Sequence, residues 1–250
     1  MKIKIFSIVL LFVIVTSICS CDFTLARDRG PEIWIDDIQY REEEPGIYNI
    51  LWIQDKNREG NVIYVPDMIG DKIVNRIGGM AEEFMAGTTS CGVDTSHTER
   101  IYFPWTIEGT CINTTWFSSE GESMLKYVIS ATTKNRIGVG RHTDKKFVVP
   151  REYYEREHFG DLPANIAYLF NYEENPNNGY FFVDLLEESG KLTKPPYDPR
   201  REGYTFAGWY KDTECTEQWD FESDEVIISF DEEKNRIYEE FCLYAKWIAE

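Results

Sequence analysis

A short run of alternating β-branched and aromatic residues, stopped by proline, recurs through the middle of the chain and limits what it can fold into. "VIYVP" ends at Pro66, "RIYFP" at Pro104 and "KFVVP" at Pro150, while "KYVIS" ends at Ser130. Proline cannot donate to a sheet ladder, so each run reads as a short strand that terminates there. Successive ends lie 38, 26 and 20 residues apart, an irregular repeat. An aromatic content of 15% argues against disorder. The expectation is a mainly β protein.

The segments around these strands fit the same picture. "PEIWIDDIQYREEEPGIYNILWIQDKNREG" alternates through Ile33, Ile35 and Ile38, turns at Pro45–Gly46 and continues from Ile47 to Ile53, a hairpin that would cap the array. "DMIGDKIVNRIGGMAEEFMAG" turns at Gly70–Asp71, places Ile73, Val74 and Ile77 on apolar positions and predicts a short helix ended by Gly87. "REYYEREHFG" predicts a second short helix, with His158 at its C-terminus and Gly160 as cap. With Val65–Pro66, Ile77–Gly78, Phe84 and the closing "FVVPREYYEREHF", these residues resemble the BspA-type leucine-rich repeats of bacterial surface proteins. The resemblance covers about residues 60–87 and 100–159 and departs at "CINTTWFSS". It implies repeats that stack, each burying its neighbour's apolar face.

The last region carries the sharpest pattern. "PPYDPRREGYTFAGWYKDTECTEQWDF", followed by "LYAKW", closely resembles the Listeria–Bacteroides repeat, the internalin B-repeat-like module. The matching positions are Pro196, Pro199, Arg201, Gly203 to Phe206, Gly208 to Tyr210, Trp219, Phe221 and Leu243 to Trp247. An insert, "SFDEEKNRIYEEF", precedes the last strand. The resemblance implies a small β-grasp-like domain carried on surface proteins. A domain this small must bury its largest side chains, which assigns Trp209, Trp219 and Trp247 to core packing; the rival reading is a glycan-stacking platform. Tyr204 and Tyr210 are the candidates for a ligand surface. If the strand "YTFAGWY" is regular, Tyr204, Phe206 and Gly208 face one way and Thr205, Ala207 and Trp209 the other, although Gly208 invites a bulge.

The N-terminal "MKIKIFSIVLLFVIVTSICSCDF" has two lysines, an apolar run too short for a comfortable span, then small residues, the grammar of a secretory signal. "ICSC" resembles a bacterial lipobox, with Cys19 departing from the usual small residue. That resemblance makes Cys21 the lipidated first residue of the mature chain, an exported protein anchored in the bacterial membrane and facing outward. The alternative is an ordinary signal peptide with Cys21 free. The organisation expected is a signal over 1–21, a tether over 22–31, a leucine-rich-repeat-like β domain over 32–162 and a β-grasp-like domain over 163–250. Export permits disulfides, so Cys91 with Cys111 and Cys215 with Cys242 are the local pairings; four free thiols are the other reading.

The formal charge is −18, or −20 without Lys2 and Lys4, which repels phosphate backbones and argues against a nucleic-acid partner. No constellation assembles a reaction. Cys91, His97 and Cys111 lack the paired spacing of a zinc site. "DKNREG" (Asp55–Gly60) opens like a calcium loop, but Pro66 stands where the bidentate Glu belongs, leaving a hairpin turn. His158 near Asp161 has no nucleophile in an activated context. The expected function is therefore non-enzymatic: adhesion or binding of an extracellular protein or glycan, without cofactor or metal, or else an envelope spacer with no ligand.

Overall fold

The computed structural model describes residues 30–78, 92–110, 124–134, 145–157, 160–233 and 239–250. The signal, the lipobox and the helix expected before Gly87 lie outside the described residues. Strand β1 (Glu32–Ile35) turns through Asp36 and Asp37, both in the left-handed region (φ 46° and 66°), into β2 (Ile38–Glu44). Two consecutive positive φ angles give the turn whose twist matches antiparallel strands, and aspartate tolerates that region better than most residues. A second turn at Pro45–Gly46 leads into β3 (Ile47–Gln54), antiparallel to β2. This is the hairpin expected from the alternation.

The chain then leaves for a second sheet with β4 (Val62–Tyr64) and returns through the hairpin β5 (Met68–Ile69) and β6 (Lys72–Ile77). β6 runs parallel to the first half of β3, and β7 (Gly92–Asp94) runs parallel to its second half. The stretch from Asp55 to Gly60 therefore crosses between sheets instead of closing a hairpin. β3 and β4 belong to different sheets, so no ladder joins them.

The second sheet holds the recurring strands. β4, β8 (Arg100–Phe103), β10 (Tyr127–Ser130) and β11 (Lys146–Val149) lie side by side and parallel, in the register Val62–Arg100–Tyr127–Lys146. β9 (Gly109–Thr110) adds to β6 of the first sheet. After β11 the helix α1 (Arg151–Glu157) follows Pro150, burying Tyr153. Gly160 then reverses the chain at φ +93°, where an added Cβ would come within 2.9 Å of Val149, so no other residue fits without movement. The next strand, β12 (Leu162–Pro163), extends the parallel sheet beside β11, so the segment around residue 163 is built into this layer.

The third sheet has the order β14 (Tyr180–Asp184), β13 (Ile166–Leu169), β16 (Phe241–Ala249), β15 (Tyr204–Tyr210). Its two central strands are parallel and its outer strands antiparallel to them.

Alternation decides how the layers stack. Ile63, Ile101, Val128 and Phe147 join a core with Ile38, Ile50 and Ile53 of the first sheet. Their neighbours Tyr102, Ile129 and Val148 join a different core with Tyr168, Phe182 and Leu243 of the third. The parallel sheet is thus covered on both faces, the condition under which parallel strands occur, and its strands read as nearly continuous apolar runs. Each fully buried aliphatic side chain contributes about 1.5–3 kcal/mol.

Candidate functional site

The aromatic motif of residues 204–210 is reshaped by one glycine. Pairing of β15 with β16 shifts register between Phe206 and Trp209, and Gly208 sits at φ +114°. An added Cβ there would meet the Gln218 amide at 2.8 Å. The bulge overturns simple alternation: Phe206 and Trp209 come together with ring centroids 5.1 Å apart. Trp209 is almost wholly buried between Tyr168 (5.0 Å) and Phe181 (5.8 Å). Trp219 is buried against Phe241. Trp247 is half-buried, and its indole N–H donates to the Phe170 carbonyl at 2.6 Å.

Of the two tyrosines expected on a ligand surface, Tyr204 is partly exposed under the Arg201 guanidinium, 3.7 Å from its ring centre. Tyr210 is a correction. It is buried, because Tyr244 and Gln218 pair with its backbone on either side and the Lys246 ammonium covers its ring at 4.6 Å. Cys215 and Cys242 are also a correction, since both are free thiols. The Cys215 sulfur lies against the Ala245 carbonyl, three residues beyond Cys242 along β16. That is about 10 Å of strand, more than a disulfide spans. Burial, then the charge of Glu240, pushes the Cys242 thiol up to about 12, so it stays protonated. Cys21, Cys91 and Cys111 lie outside the described residues.

An open cleft lies on the third sheet, where the segment Asn171–Gly179 arches beside β16. Its volume is about 580 Å³, and it is lined chiefly by Asn171, Tyr172, Glu173, Asn175, Asn178 and Tyr244. Asn171, Glu174, Asn177 and Asn178 all adopt left-handed backbone, with Gly179 following at φ +90°. Asparagine suits such positions because its short side chain can bond locally. Asn177 fixes the arch to the layer beneath. Its Oδ1 accepts from the Thr133 N–H (2.7 Å) and hydroxyl (2.9 Å), and its Nδ2 donates to the carbonyls of Ala131 and Tyr180. Burial raises the Tyr172 and Tyr244 hydroxyls, so both line the cleft as neutral groups.

Two polar clusters join layers. Asp55, at the end of β3, accepts from the backbone N–H groups of Ser96, His97 and Thr98 and from two hydroxyls. Burial would raise this carboxyl, but those donors outweigh it and hold it at about 2. His97 belongs to this clamp: Nδ1 lies 3.3 Å from Asp55, and Nε2 lies 3.2 Å from the Arg58 carbonyl. The second cluster had no signal in the sequence. Asp184 Oδ1 accepts from the Tyr102 hydroxyl (2.6 Å), the Leu185 N–H (2.7 Å) and Arg100 (3.2 Å). Arg100 also holds Glu187 and the Leu185 carbonyl. Burial dominates at Asp184 and raises its carboxyl above the usual range despite these donors.

Residues 168–246 match the model of the Listeria–Bacteroides repeat domain. This is a surface-associated repeat family. Two proteins of Evansella cellulosilytica are similar over 81 residues, 32% of this chain. One, named "Putative Gly-rich membrane protein", is 36% identical, and the other, named "Putative membrane protein", is 35% identical. The chain spans 8% and 10% of the length of these relatives.

Proposed function

We propose that this chain is a non-enzymatic, lipid-anchored surface protein that binds an extracellular protein or glycan through its repeat domain. The match of residues 168–246 to a surface-associated repeat carries this reading. Relatives named as membrane proteins agree with a membrane-associated location. The lipobox-like "ICSC" supplies the anchor at Cys21, since each acyl CH₂ buried in lipid contributes about 0.8 kcal/mol. The parallel, in-register strands support the resemblance of the middle region to BspA-type repeats. Strong negative charge disfavours nucleic acid and anionic ligands.

The test has two parts on the full chain. Expressed in bacteria with an alkyne-tagged fatty acid, it should take up label that Cys21→Ala abolishes; equal labelling of the variant ends the anchor reading. Solubilised in detergent, it should bind one of immobilised mucin, matrix protein or cell-wall polysaccharide saturably at physiological salt. Binding to none of them would leave the spacer reading.

A further inference from the structure

We infer that the cleft under the Asn171–Gly179 arch is a subsite for the ring of a neutral saccharide. The inference rests on the binding reading above and names the ligand class and the place. The volume, about 580 Å³, falls in the range of small-ligand sites, roughly 300–1,000 Å³.

The chemistry of the walls selects the ligand. Tyr172 and Tyr244 are half-buried on the lining, the Tyr172 ring carrying the Arg201 guanidinium over one face at 4.4 Å, and Leu169 adds apolar surface. A sugar ring presents this combination in reverse, with C–H faces for aromatic rings and a rim of hydroxyls. The amides are set to meet that rim. The Asn171 Nδ2 is committed to the Thr213 and Ala245 carbonyls, and the Asn175 Nδ2 to the Tyr172 carbonyl. Their carbonyl oxygens are left as acceptors for hydroxyl donors. Asn178 is exposed, and its side chain forms no hydrogen bond within the described residues.

Charge excludes the acidic sugars. Glu173 places a carboxylate on the lining and the chain carries a net charge of −18, a field that repels acidic sugars and against which the Arg201 guanidinium over Tyr172 (4.4 Å) is a single opposing charge. The backbone excludes a peptide added as a strand. Leu169 on the cleft wall is paired on both sides, with Tyr180 and with Tyr244, so this wall offers no free strand edge to a peptide. Finally, the arch is fixed before any ligand arrives, because Asn177 ties it to Ala131 and Thr133. A preformed site avoids the cost of ordering a loop on binding.

The experiment uses the full chain in detergent, with neutral trisaccharides of glucose, mannose and N-acetylglucosamine as probes and a sialylated trisaccharide as control. Backbone amide shifts are followed by NMR. The expected result is saturable shifts at Tyr172–Gly179 for at least one neutral probe, with a dissociation constant of about 1 mM or tighter. None is expected for the sialylated one. Asn178→Gly keeps the left-handed backbone and removes only the side chain. It should weaken that binding roughly tenfold, the loss of one good hydrogen bond, with the melting temperature unchanged. Tyr244→Phe, which keeps the ring, should weaken it less.

Neutral-sugar shifts that map elsewhere, or that Asn178→Gly leaves unchanged, overturn the subsite while the binding function stands. Absence of sugar shifts in a chain that still captures mucin or matrix protein overturns the saccharide assignment alone. Absence of binding in both assays overturns both.

Discussion

The two interior layers on either side of the parallel sheet are built from different materials. The layer facing the first sheet is mainly aliphatic: Ile38, Ile50, Ile53, Ile63, Val65, Val74, Ile77, Ile101 and Val128. The layer facing the third sheet is richer in aromatic residues and contains a charge network. Tyr102 stacks on Tyr64 at 4.8 Å and on Phe182 at 5.2 Å, beside the buried Asp184. Adjacent residues of one strand, Ile101 and Tyr102, serve the two layers. An aliphatic layer needs only volume and pattern, so it tolerates different residues of similar size. Rings and hydrogen bonds need matched geometry, so the aromatic layer fixes the third sheet on the parallel sheet in one orientation.

The largest effect should come from breaking the charged part of the second layer. Asp184→Ala leaves the half-buried Arg100 guanidinium and the buried Tyr102 hydroxyl with one acceptor fewer. It should cost about 3 kcal/mol, the loss of a buried hydroxyl's acceptor together with one partner of a part-buried ion pair. Urea denaturation measures it. A loss under about 1 kcal/mol would mean that the second layer is held by its rings alone.

Acid separates the layers by sign. Asp55 is depressed from 3.8 to about 2 in the fold, so its contribution is complete above pH 4 and is lost as pH falls from about 4 to about 2. The shift corresponds to roughly 2 kcal/mol. Asp184 is raised, so its linkage runs the other way, favouring the fold in acid and losing that advantage as pH rises through its folded value. Acid should therefore weaken the tie between β3 and the loop before β8 without weakening the Asp184 network. Unfolding free energies at pH 5.5 and 2.5 should differ by about two-thirds of this amount more in the parent chain than in Asp55→Asn. Equal acid sensitivity in the two would refute the role given to Asp55.

The same contrast explains what could be read from the sequence. The recurring strands were legible because β-branched alternation ended by proline is a local signal, and so was the β1–β3 region through Pro45–Gly46. The sheet partners were not. β5, β7 and β9 are two or three residues long, too short for any period, and β3 accepts β6 and β7 in succession. Arg100 and Asp184 are ordinary charges at strand ends, 84 residues apart, and only folding makes them a pair. In the repeat domain the motif marked Trp209 and Trp219 for packing. It could not place Tyr210, whose burial depends on Lys246 and Gln218. The cleft had a faint signal: "NPNNG" is a turn composition rich in residues that tolerate left-handed backbone, but it names no ligand.

The smallest effects test the comparison most directly, on neighbouring residues. Ile101→Val removes one methylene from the aliphatic layer, and Tyr102→Phe removes one hydroxyl from the aromatic one. Each should cost about 1 kcal/mol, so their magnitudes do not distinguish them. Their coupling does. The Tyr102 hydroxyl donates to Asp184 and accepts from Arg100, itself a partner of Asp184, so combining Tyr102→Phe with Asp184→Ala should cost less than the sum of the two, by about 1 kcal/mol. Ile101 faces the opposite layer and shares no partner with Asp184, so Ile101→Val should add to Asp184→Ala within about 0.5 kcal/mol. Coupling of both pairs would mean that the parallel sheet transmits strain between its faces and that the two layers are one core. Additivity for Ile101 with coupling for Tyr102 would mean that a single sheet keeps a tolerant surface on one side and a specific one on the other.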